Sequence, residues 1–477
     1  MLFNSWEFIG LFISTCLLYF NLPYKYRSSL LLISSYIFYI SWRWDFAFVM
    51  LGVTLVNYYG GLKINESKTI KKKRNYLWLS IVLSLIPLLY LKYANFFIGN
   101  INNVSEIFDS QSRLTLLEVI LPVGISFFTF QALSYSLDVY FGKTKVEHNV
   151  VNFAVFVAFF PQLVAGPIER SSNLLGQFRE KHNFNRHDFI EGSKLFIWGL
   201  FKKVVIADRL AIYVDRIYEN PDVYNGPTLA VATLFFAIQI YCDFSGYSDM
   251  AIGTAKILGF NLMQNFNLPY LSRSIAEFWR RWHISLSTWF SDYLYKPLGG
   301  NRVVYSRWLL NIFIVFLVSG FWHGANWTFI IWGFLHALYY VIESWGDKVL
   351  NWAKQTRIKQ FNGYRISKMI VVFILVCYAW IFFRASSISD AYIISNKLIF
   401  DWSGNLYLGA STVSFVLCIL LIIVLVFVQI LQYNKVVSLY FSKSKIHSIG
   451  QLLWYVFLLL SVSMLGVSSN AFIYFQF

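Results

Sequence analysis

A histidine and an asparagine lie inside one of the long apolar runs of the chain, in the stretch SGFWHGANWTFIIWG from Ser319 to Gly333. A polar group buried without a partner costs about 2–7 kcal/mol. In a membrane protein, an ionisable residue at depth is by default a functional-site hypothesis. Neutral imidazole can accept the proton of a hydroxyl, so His323 is a candidate general base. Asn326 shares a helix face with His323 if the segment is helical, and could then orient its ring.

The alternative for His323 is a packing role between two helices, which we rank below function. Gly320 and Gly324 form a G-x-x-x-G pattern, which lets a second helix approach closely. His336 follows His323 at an angle of about 220° on a continuous helix, so the two would lie on different faces. We therefore assign His336 to packing.

A second candidate, His283, lies in the stretch SIAEFWRRWHISLSTWF, residues 274–290. Ser274 and Glu277 form an S-x-x-E capping box, which predicts a helix start. Apolar and histidine side chains then recur at i, i+4, i+7 and i+11, in the set Trp279, His283, Leu286 and Phe290. This spacing predicts an amphipathic helix on the membrane surface, with His283 on its apolar stripe and Arg280 off it. An equally good alternative makes His283 an interfacial residue that supports the Arg280–Arg281 pair.

Polar residues also interrupt the apolar stretch YCDFSGYSDMAIG, residues 241–253. Asp243 and Asp249 are six positions apart and cannot be neighbours on one helix face, so paired-carboxylate chemistry has little support. We favour a polar pocket wall, in which Asp243 and Tyr247 support the site, or a helix kink at Gly246.

The composition is that of an integral membrane protein. The 477 residues are 57% hydrophobic and 13% charged, about half the usual charged share. The net charge of +16 comes from basic residues in short loops, as the positive-inside rule expects, so we predict no nucleic-acid partner. The sequence has no P-loop, G-x-S-x-G or H-E-x-x-H motif, and its four cysteines are far apart. We expect neither a metal nor a resident cofactor.

The apolar segments predict an all-α, polytopic membrane protein with about ten to twelve transmembrane helices and short membrane-surface helices. The loop around residues 63–74 holds six basic residues against one acid, Glu66. Short basic loops mark the cytoplasmic side. Counting back three crossings places the N-terminus outside the cytoplasmic membrane.

Several sequence blocks together resemble the membrane-bound O-acyltransferases, and more narrowly the bacterial branch that O-acetylates alginate or peptidoglycan. The blocks follow in the expected order over about three quarters of the chain. They are PVGISFFTFQALSYSLDVY (122–140), FFPQLVAGPIER (159–170), GLFKKVVIAD (199–208), YCDFSGYSDMAIG (241–253), the long block 265–302 around His283, FWHGANWTFIIWG (321–333) and FIYFQF (472–477).

The resemblance implies a single integral-membrane domain over residues 1–477, with its family core at about 114–345, and helices around a central funnel or tunnel. It implies transfer of acetyl from cytosolic acetyl-CoA across the bacterial cytoplasmic membrane to hydroxyls of an extracytoplasmic polysaccharide. Peptidoglycan is preferred slightly over an alginate-like polymer as acceptor. A separate extracytoplasmic O-acetyltransferase is the expected partner.

The resemblance also assigns residues. The family's invariant histidine falls on His323, and its second recurrent histidine falls on His283. Trp279, Arg280 and Arg281 are then expected to bind the donor, since a basic pair suits the phosphates of CoA.

Three alternatives stay open at this stage. D-alanyl transfer to teichoic acid from a carrier protein uses the same fold with a different donor. A transporter would tend to show inverted repeats and paired broken helices, which the sequence lacks. A scaffold of an envelope complex predicts that His323 is dispensable.

Overall fold

A computed structural model describes residues 1–108, 113–164, 166–349, 362–434 and 445–467. Every regular element in these ranges is helical, which confirms the all-α prediction. The C-terminal block 472–477 and residues 350–361 lie outside the described residues.

The chain divides into two compact units. The first unit comprises Met1–Phe196 and Met250–Met263. Its complete helices are α1 (Trp6–Asn21), α2 (Tyr24–Ile40), α3 (Phe46–Glu66), α4 (Ile70–Leu88), α5 (Ala94–Ile107), α6 (Ile125–Tyr140), α7 (Val150–Ala158) and α8 (Ser171–Leu174). A single domain over the whole chain stays a prediction.

The second unit comprises Ile197–Asp249 and Gln264–Phe477. Two of the three boundaries fall inside the helices α9 (Arg186–Phe201) and α11 (Gly226–Ile257), and the third follows Met263. A π-helical segment, Lys202–Ala207, joins α9 to the next helix. The remaining helices are α10 (Asp208–Glu219), α12 (Ile275–Arg281), α13 (Ile284–Phe290), α14 (Tyr305–His323), α15 (Trp327–Val349), α16 (Asn362–Arg384), α17 (Ile388–Phe400), α18 (Thr412–Tyr433) and α19 (Lys445–Leu465).

Six helical stretches among the described residues are long and apolar enough to span a bilayer. They are Phe46–Glu66, Ile70–Ile107, Gly226–Ile257, Tyr305–His323, Gly363–Arg384 and Thr412–Tyr433. Trp6–Asn21 and Gly450–Leu465 are shorter apolar helices. The prediction of ten to twelve transmembrane helices also counts apolar segments of this length. The multi-pass membrane prediction is confirmed.

The apolar run around His323 is a helical hairpin rather than one helix. α14 ends at His323, Gly324 has an extended backbone, and α15 begins at Trp327. The two helices approach closely at Gly320 and Gly333, because a Cβ on either glycine would lie 2.3 Å from a backbone oxygen of the other helix. The small-residue contact is therefore confirmed for Gly320, whereas Gly324 lies in the turn.

The predicted helix through His283 is also wrong, because the chain bends there. α12 ends at Arg281, Trp282 is extended, and His283 has a φ of 43° before α13 begins. The segment before α12 satisfies the backbone at this bend: Asn267 N–H donates to Arg281 O and Ile284 N–H donates to Asn265 O, each at 2.9 Å. An apolar period alone does not reveal such a long-range pairing.

The capping box at the start of α12 is confirmed in its first half. Ser274 Oγ accepts a hydrogen bond from Glu277 N–H at 2.9 Å. The Glu277 carboxylate accepts from the N–H of Arg273 at 2.8 Å, one residue before the expected partner. The helix therefore begins where the sequence predicts it.

Candidate active site

His323 is the last residue of α14 and is buried, with 3% of its surface exposed. Its imidazole packs edge-on against three aromatic rings. The ring centroids lie 4.9 Å from Trp322, 5.0 Å from Trp332 and 5.3 Å from Phe383. Because Trp332 belongs to α15 and Phe383 to α16, three helices fix the place of this histidine.

His283 is also buried, at the bend between α12 and α13. Its ring lies perpendicular to that of Phe244 on α11, with centroids 4.7 Å apart. It also contacts Trp322, at a centroid distance of 6.1 Å. The two predicted catalytic histidines therefore pack against the same indole.

The polar environment of His283 comes from Asn265, in the segment before α12, and from Ser285 on α13. Its Nδ1 lies 3.2 Å from Oδ1 of Asn265 and 3.4 Å from Oγ of Ser285. Asn265 is itself held, because its Nδ2 donates to Ser248 Oγ at 3.2 Å. Burial lowers the pKa of His283 to about 3, so the imidazole is neutral at physiological pH.

His336 and His323 contact the same indole ring, which the sequence prediction did not allow. The prediction placed them on different faces of one helix, which is wrong because the chain turns between α14 and α15. Trp332 contacts both rings, with centroids 5.0 Å from His323 and 4.9 Å from His336. His336 Nδ1 accepts a hydrogen bond from Trp279 Nε1 at 3.3 Å. Its assignment to packing stays a prediction.

Asn326 lies in the turn, and the expected helix face shared with His323 does not form. Its Oδ1 accepts from the N–H of Thr328 at 3.1 Å, and its Nδ2 donates to Ser386 O at 3.1 Å. These two bonds fix the start of α15 and tie the turn to the end of α16. The structure thus places the amide at the helix start rather than beside the histidine on one helix face.

Asp243 and Tyr247 lie one turn apart on α11, in a buried ionic cluster around Lys203. The Lys203 Nζ lies 2.7 Å from carboxylate oxygens of both Asp243 and Asp208. It also lies 5.5 Å from the centre of the Tyr247 ring. All four side chains are buried, so this group is a polar interior of α10 and α11 rather than a lipid-facing surface.

Asp249 belongs to a separate pair. It contacts Lys202 Nζ at 2.7 Å, and that ammonium also donates to Ser245 Oγ at 2.8 Å. Asp243 and Asp249 thus contact different lysines. α11 continues through Gly246, and a kink at that glycine stays a prediction. The missing side chain allows close approach, because a Cβ there would lie 2.7 Å from Gly199 O.

Lys202, Lys203 and Asn265 are site residues that the sequence reasoning missed. Two adjacent lysines in an apolar segment are a recognisable signal, because ionisable groups in such segments are rare and usually functional. They also occupy a π-helical segment, a distortion often found at functional sites. Asn265 carries no comparable signal, since its role depends on the bend at His283.

The predicted donor-binding residues differ in their surroundings. Arg281 pairs with Glu277 at 2.7 Å and donates to Asn267 O at 3.3 Å. Arg280 is exposed. Trp279 lines a cavity of about 100 Å³. The other residues that line this cavity are Leu286, Ser287, Phe290, Val315, Phe316 and Ser319.

The cavity reaches the vicinity of the predicted base. Ser319 lies on α14 one turn before His323, on the same helix face. Among the described residues, no three His, Cys, Asp or Glu side chains are grouped so as to hold a metal ion. The arrangement thus offers imidazoles, indole rings and an adjoining mostly apolar cavity.

Comparison with known proteins decides the family. A family model described as MBOAT, membrane-bound O-acyltransferase family, matches residues 143–389, a span that contains both histidines. The probable alginate O-acetylase AlgI of Pseudomonas aeruginosa is 43% identical over 395 residues, which cover 82% of this chain and 74% of that protein. The chain belongs to the membrane-bound O-acyltransferase family. It is therefore a multi-pass membrane acyltransferase.

Two further relatives show the range of membrane-bound O-acyltransferases that this chain is similar to. The peptidoglycan O-acetyltransferase of Helicobacter pylori is 36% identical over 423 residues, covering 82% of this chain and 78% of that protein. The teichoic acid D-alanyltransferase of Bacillus subtilis is 28% identical over 281 residues, covering 55% of this chain and 68% of that protein.

Proposed function

We propose that this membrane-bound O-acyltransferase transfers acetyl from cytosolic acetyl-CoA to a hydroxyl acceptor on the far side of the cytoplasmic membrane. The acceptor is an extracytoplasmic polysaccharide. The observation that carries the proposal is the contact of Trp322 with both His283 and His323. Two imidazoles held against one ring suit proton transfer during attack on a thioester.

In the proposed reaction, His323 acts as the general base. The acceptor oxygen forms a bond to the acetyl carbon, and the carbon–sulfur bond of the thioester breaks. The hydroxyl proton passes to the imidazole and from there to the departing sulfur, so that CoA leaves as the thiol. His283 lies on the same indole and orients the reacting groups, with the supporting polar wall provided by Asp243 and Tyr247.

The donor is proposed to enter beside α12. The exposed Arg280 contacts the phosphates of CoA, because a guanidinium binds phosphate oxygens in a bidentate manner. Trp279 and the cavity that it lines receive the thioester end. Arg281 holds the end of α12 through Glu277. No resident cofactor or metal takes part in this scheme.

The acceptor is proposed to be an alginate-like exopolysaccharide or peptidoglycan. The printed names of the relatives at 43% and 36% identity support an O-acetylated polysaccharide, and the higher identity favours the alginate-like polymer. A separate extracytoplasmic O-acetyltransferase is the proposed partner at this step. The basic loop after α3 is cytoplasmic in this scheme, and the N-terminus lies outside.

The test uses inverted membrane vesicles, which expose the cytoplasmic face to labelled acetyl-CoA. CoA release and label that reaches an enclosed polysaccharide are measured for the wild type, His323→Ala and His283→Ala at matched expression. The control is His336→Asn, which changes a third buried histidine of the same aromatic cluster and keeps an acceptor for Trp279. We expect loss of both signals in the first two variants and near-wild-type signals in the control. Wild-type transfer by His323→Ala would refute the general-base role.

A second candidate is D-alanyl transfer, which the relatives from Bacillus subtilis and Streptococcus thermophilus support at 28% and 29% identity. The same vesicles separate the two functions when acetyl-CoA is replaced by a D-alanyl carrier protein. Acylation driven only by the carrier protein would favour the second candidate.

A further inference from the structure

We infer that Asn265 is a positioning residue that fixes His283 in the tautomer protonated on Nδ1 and directs its Nε2 to the reaction. The inference rests on the proposed function, in which His283 takes part in acyl transfer. Asn265 lies 18 positions before His283, and its Oδ1 is 3.2 Å from Nδ1 of that ring. Neither the family comparison nor the sequence patterns single it out.

The orientation of the Asn265 amide follows from its partners. The backbone N–H of Ser285, which can only donate, points at Oδ1 from 3.2 Å, and Ser285 Oγ donates to the same atom at 2.9 Å. At the other end, Nδ2 donates to Ser248 Oγ at 3.2 Å. The atom that faces His283 is therefore the carbonyl oxygen, which is an acceptor.

An acceptor beside Nδ1 determines where the imidazole carries its proton. Nδ1 donates to the Asn265 oxygen, and the Ser285 hydroxyl, whose proton is directed at Asn265, also presents an oxygen to Nδ1 at 3.4 Å. Phe244, Trp322, Asn265 and Ser285 contact His283 and are uncharged, and burial keeps the ring neutral. A neutral imidazole has one N–H, so Nε2 carries the lone pair that can accept a proton.

The same asparagine also holds the backbone that aims the ring. His283 is one of two non-glycine residues with positive φ among the described residues. Its left-handed conformation is kept by the hydrogen bond from Ile284 N–H to Asn265 O at 2.9 Å. Main-chain and side-chain groups of one residue thus fix both the direction of the histidine and its tautomer, as second-shell groups do in other histidine sites.

The experiment compares Asn265→Ala, Asn265→Asp and Ser248→Ala in the acetyl-transfer assay, with kcat, KM for acetyl-CoA and the pH profile measured for each. Asn265→Ala removes the acceptor, and we expect kcat to fall about 10²-fold with little change in KM. Asn265→Asp keeps an acceptor and adds a charge that favours imidazolium. We therefore expect it to recover much of kcat and to shift the acidic limb of the profile to higher pH. Ser248→Ala keeps the Nδ1 contact but removes the partner of Nδ2, so we expect its kcat to lie between those of the wild type and Asn265→Ala.

A purely structural role for Asn265 gives a different pattern. Both Asn265 variants would then lose activity equally with the pH profile of the wild type, and this result would overturn the inference. ¹⁵N spectra of histidine-labelled protein, with His283→Ala used for assignment, supply a readout that needs no activity. If the wild-type spectrum shows the His283 proton on Nε2 and not on Nδ1, the inference about Asn265 is refuted. If His283→Ala is fully active, the proposed role of His283 in acyl transfer is wrong. If His283→Ala is inactive but both Asn265 variants are fully active, only the inference about Asn265 is wrong.

Discussion

Trp322 packs its indole against the imidazole of His283, with ring centroids 6.1 Å apart, although the two residues are separated by most of α13 and α14. Trp322 is also the chain neighbour of His323 and contacts its ring at 4.9 Å. One indole therefore contacts both of the proposed catalytic histidines.

This contact predicts that Trp322→Ala lowers transfer more than it lowers the amount of folded protein. Loss of a buried indole costs about 3–5 kcal/mol of unfolding free energy, and misplacement of the histidines by about 1 Å costs on the order of 10²-fold in rate. Trp322→Phe keeps a ring between them and should retain most of the rate. The measurement is kcat per folded enzyme, with folding followed by detergent-solubilised thermal unfolding. Equal specific rates for the alanine variant and the wild type would contradict the prediction.

Substitution of the two arginines of α12 should affect different kinetic constants. Arg280 is exposed, so Arg280→Ala should raise KM for acetyl-CoA about tenfold, the effect of one charge-assisted hydrogen bond, with thermal stability unchanged. Arg281 pairs with Glu277, so Arg281→Ala should lower kcat and stability by loosening the end of α12. Initial rates over a range of acetyl-CoA concentrations separate the two effects. A raised KM in Arg281→Ala alone would reverse the assignment.

The buried ionic cluster predicts that loss of its lysine destabilises the protein more than loss of one of its carboxylates. Lys203 has two carboxylates as partners, Asp208 and Asp243, so the three groups carry one excess negative charge if all are ionised. Lys203→Met leaves both carboxylates without that cation and should lower the unfolding free energy by about 3–5 kcal/mol. Asp243→Asn removes the excess charge and should cost less.

The control for the cluster is Lys63→Met, which breaks an exposed pair with Glu66. An exposed ion pair contributes about 0–1 kcal/mol to the unfolding free energy, so this variant should unfold at nearly the same temperature as the wild type. Thermal unfolding of the purified variants in one detergent is the measurement. If Asp243→Asn proved less stable than Lys203→Met, the charge argument would be wrong.

The close approach of α14 and α15 predicts that a methyl group at Gly333 is poorly tolerated. Its Cβ would lie 2.3 Å from Phe316 O, so the helices must separate, at a cost of about 1–3 kcal/mol. Gly10→Ala is the matched control, since no atom lies within 4 Å of a Cβ at that position. We expect Gly333→Ala to unfold at lower temperature and Gly10→Ala to unfold at or above the wild-type temperature. Equal stability would mean that the hairpin can relax.

The sequence was sufficient for the fold class and the family, because length and hydropathy predict membrane helices and the motifs are specific to the family. The catalytic roles of the two histidines stay predictions. The sequence was not sufficient for the local geometry. The periodicity around His283 predicts one continuous helix, whereas hydrogen bonds from Asn265 and Asn267 hold a bend there. The contact of His336 and His323 with one indole was missed for the same kind of reason, because a turn at Gly324 reverses the chain.

The positive φ of His283 also limits how this position can diverge. A left-handed backbone is open to glycine, and among other residues mainly to asparagine, aspartate and histidine. Substitution at this position is therefore least strained for these residues, and of these asparagine is an uncharged one that keeps a polar group in the buried cluster. An acyltransferase with the same bend, but with chemistry that needs no second imidazole, would be expected to settle on asparagine here. The backbone conformation at His283 thus favours a few side chains, and with them a few kinds of chemistry, at this position of the fold.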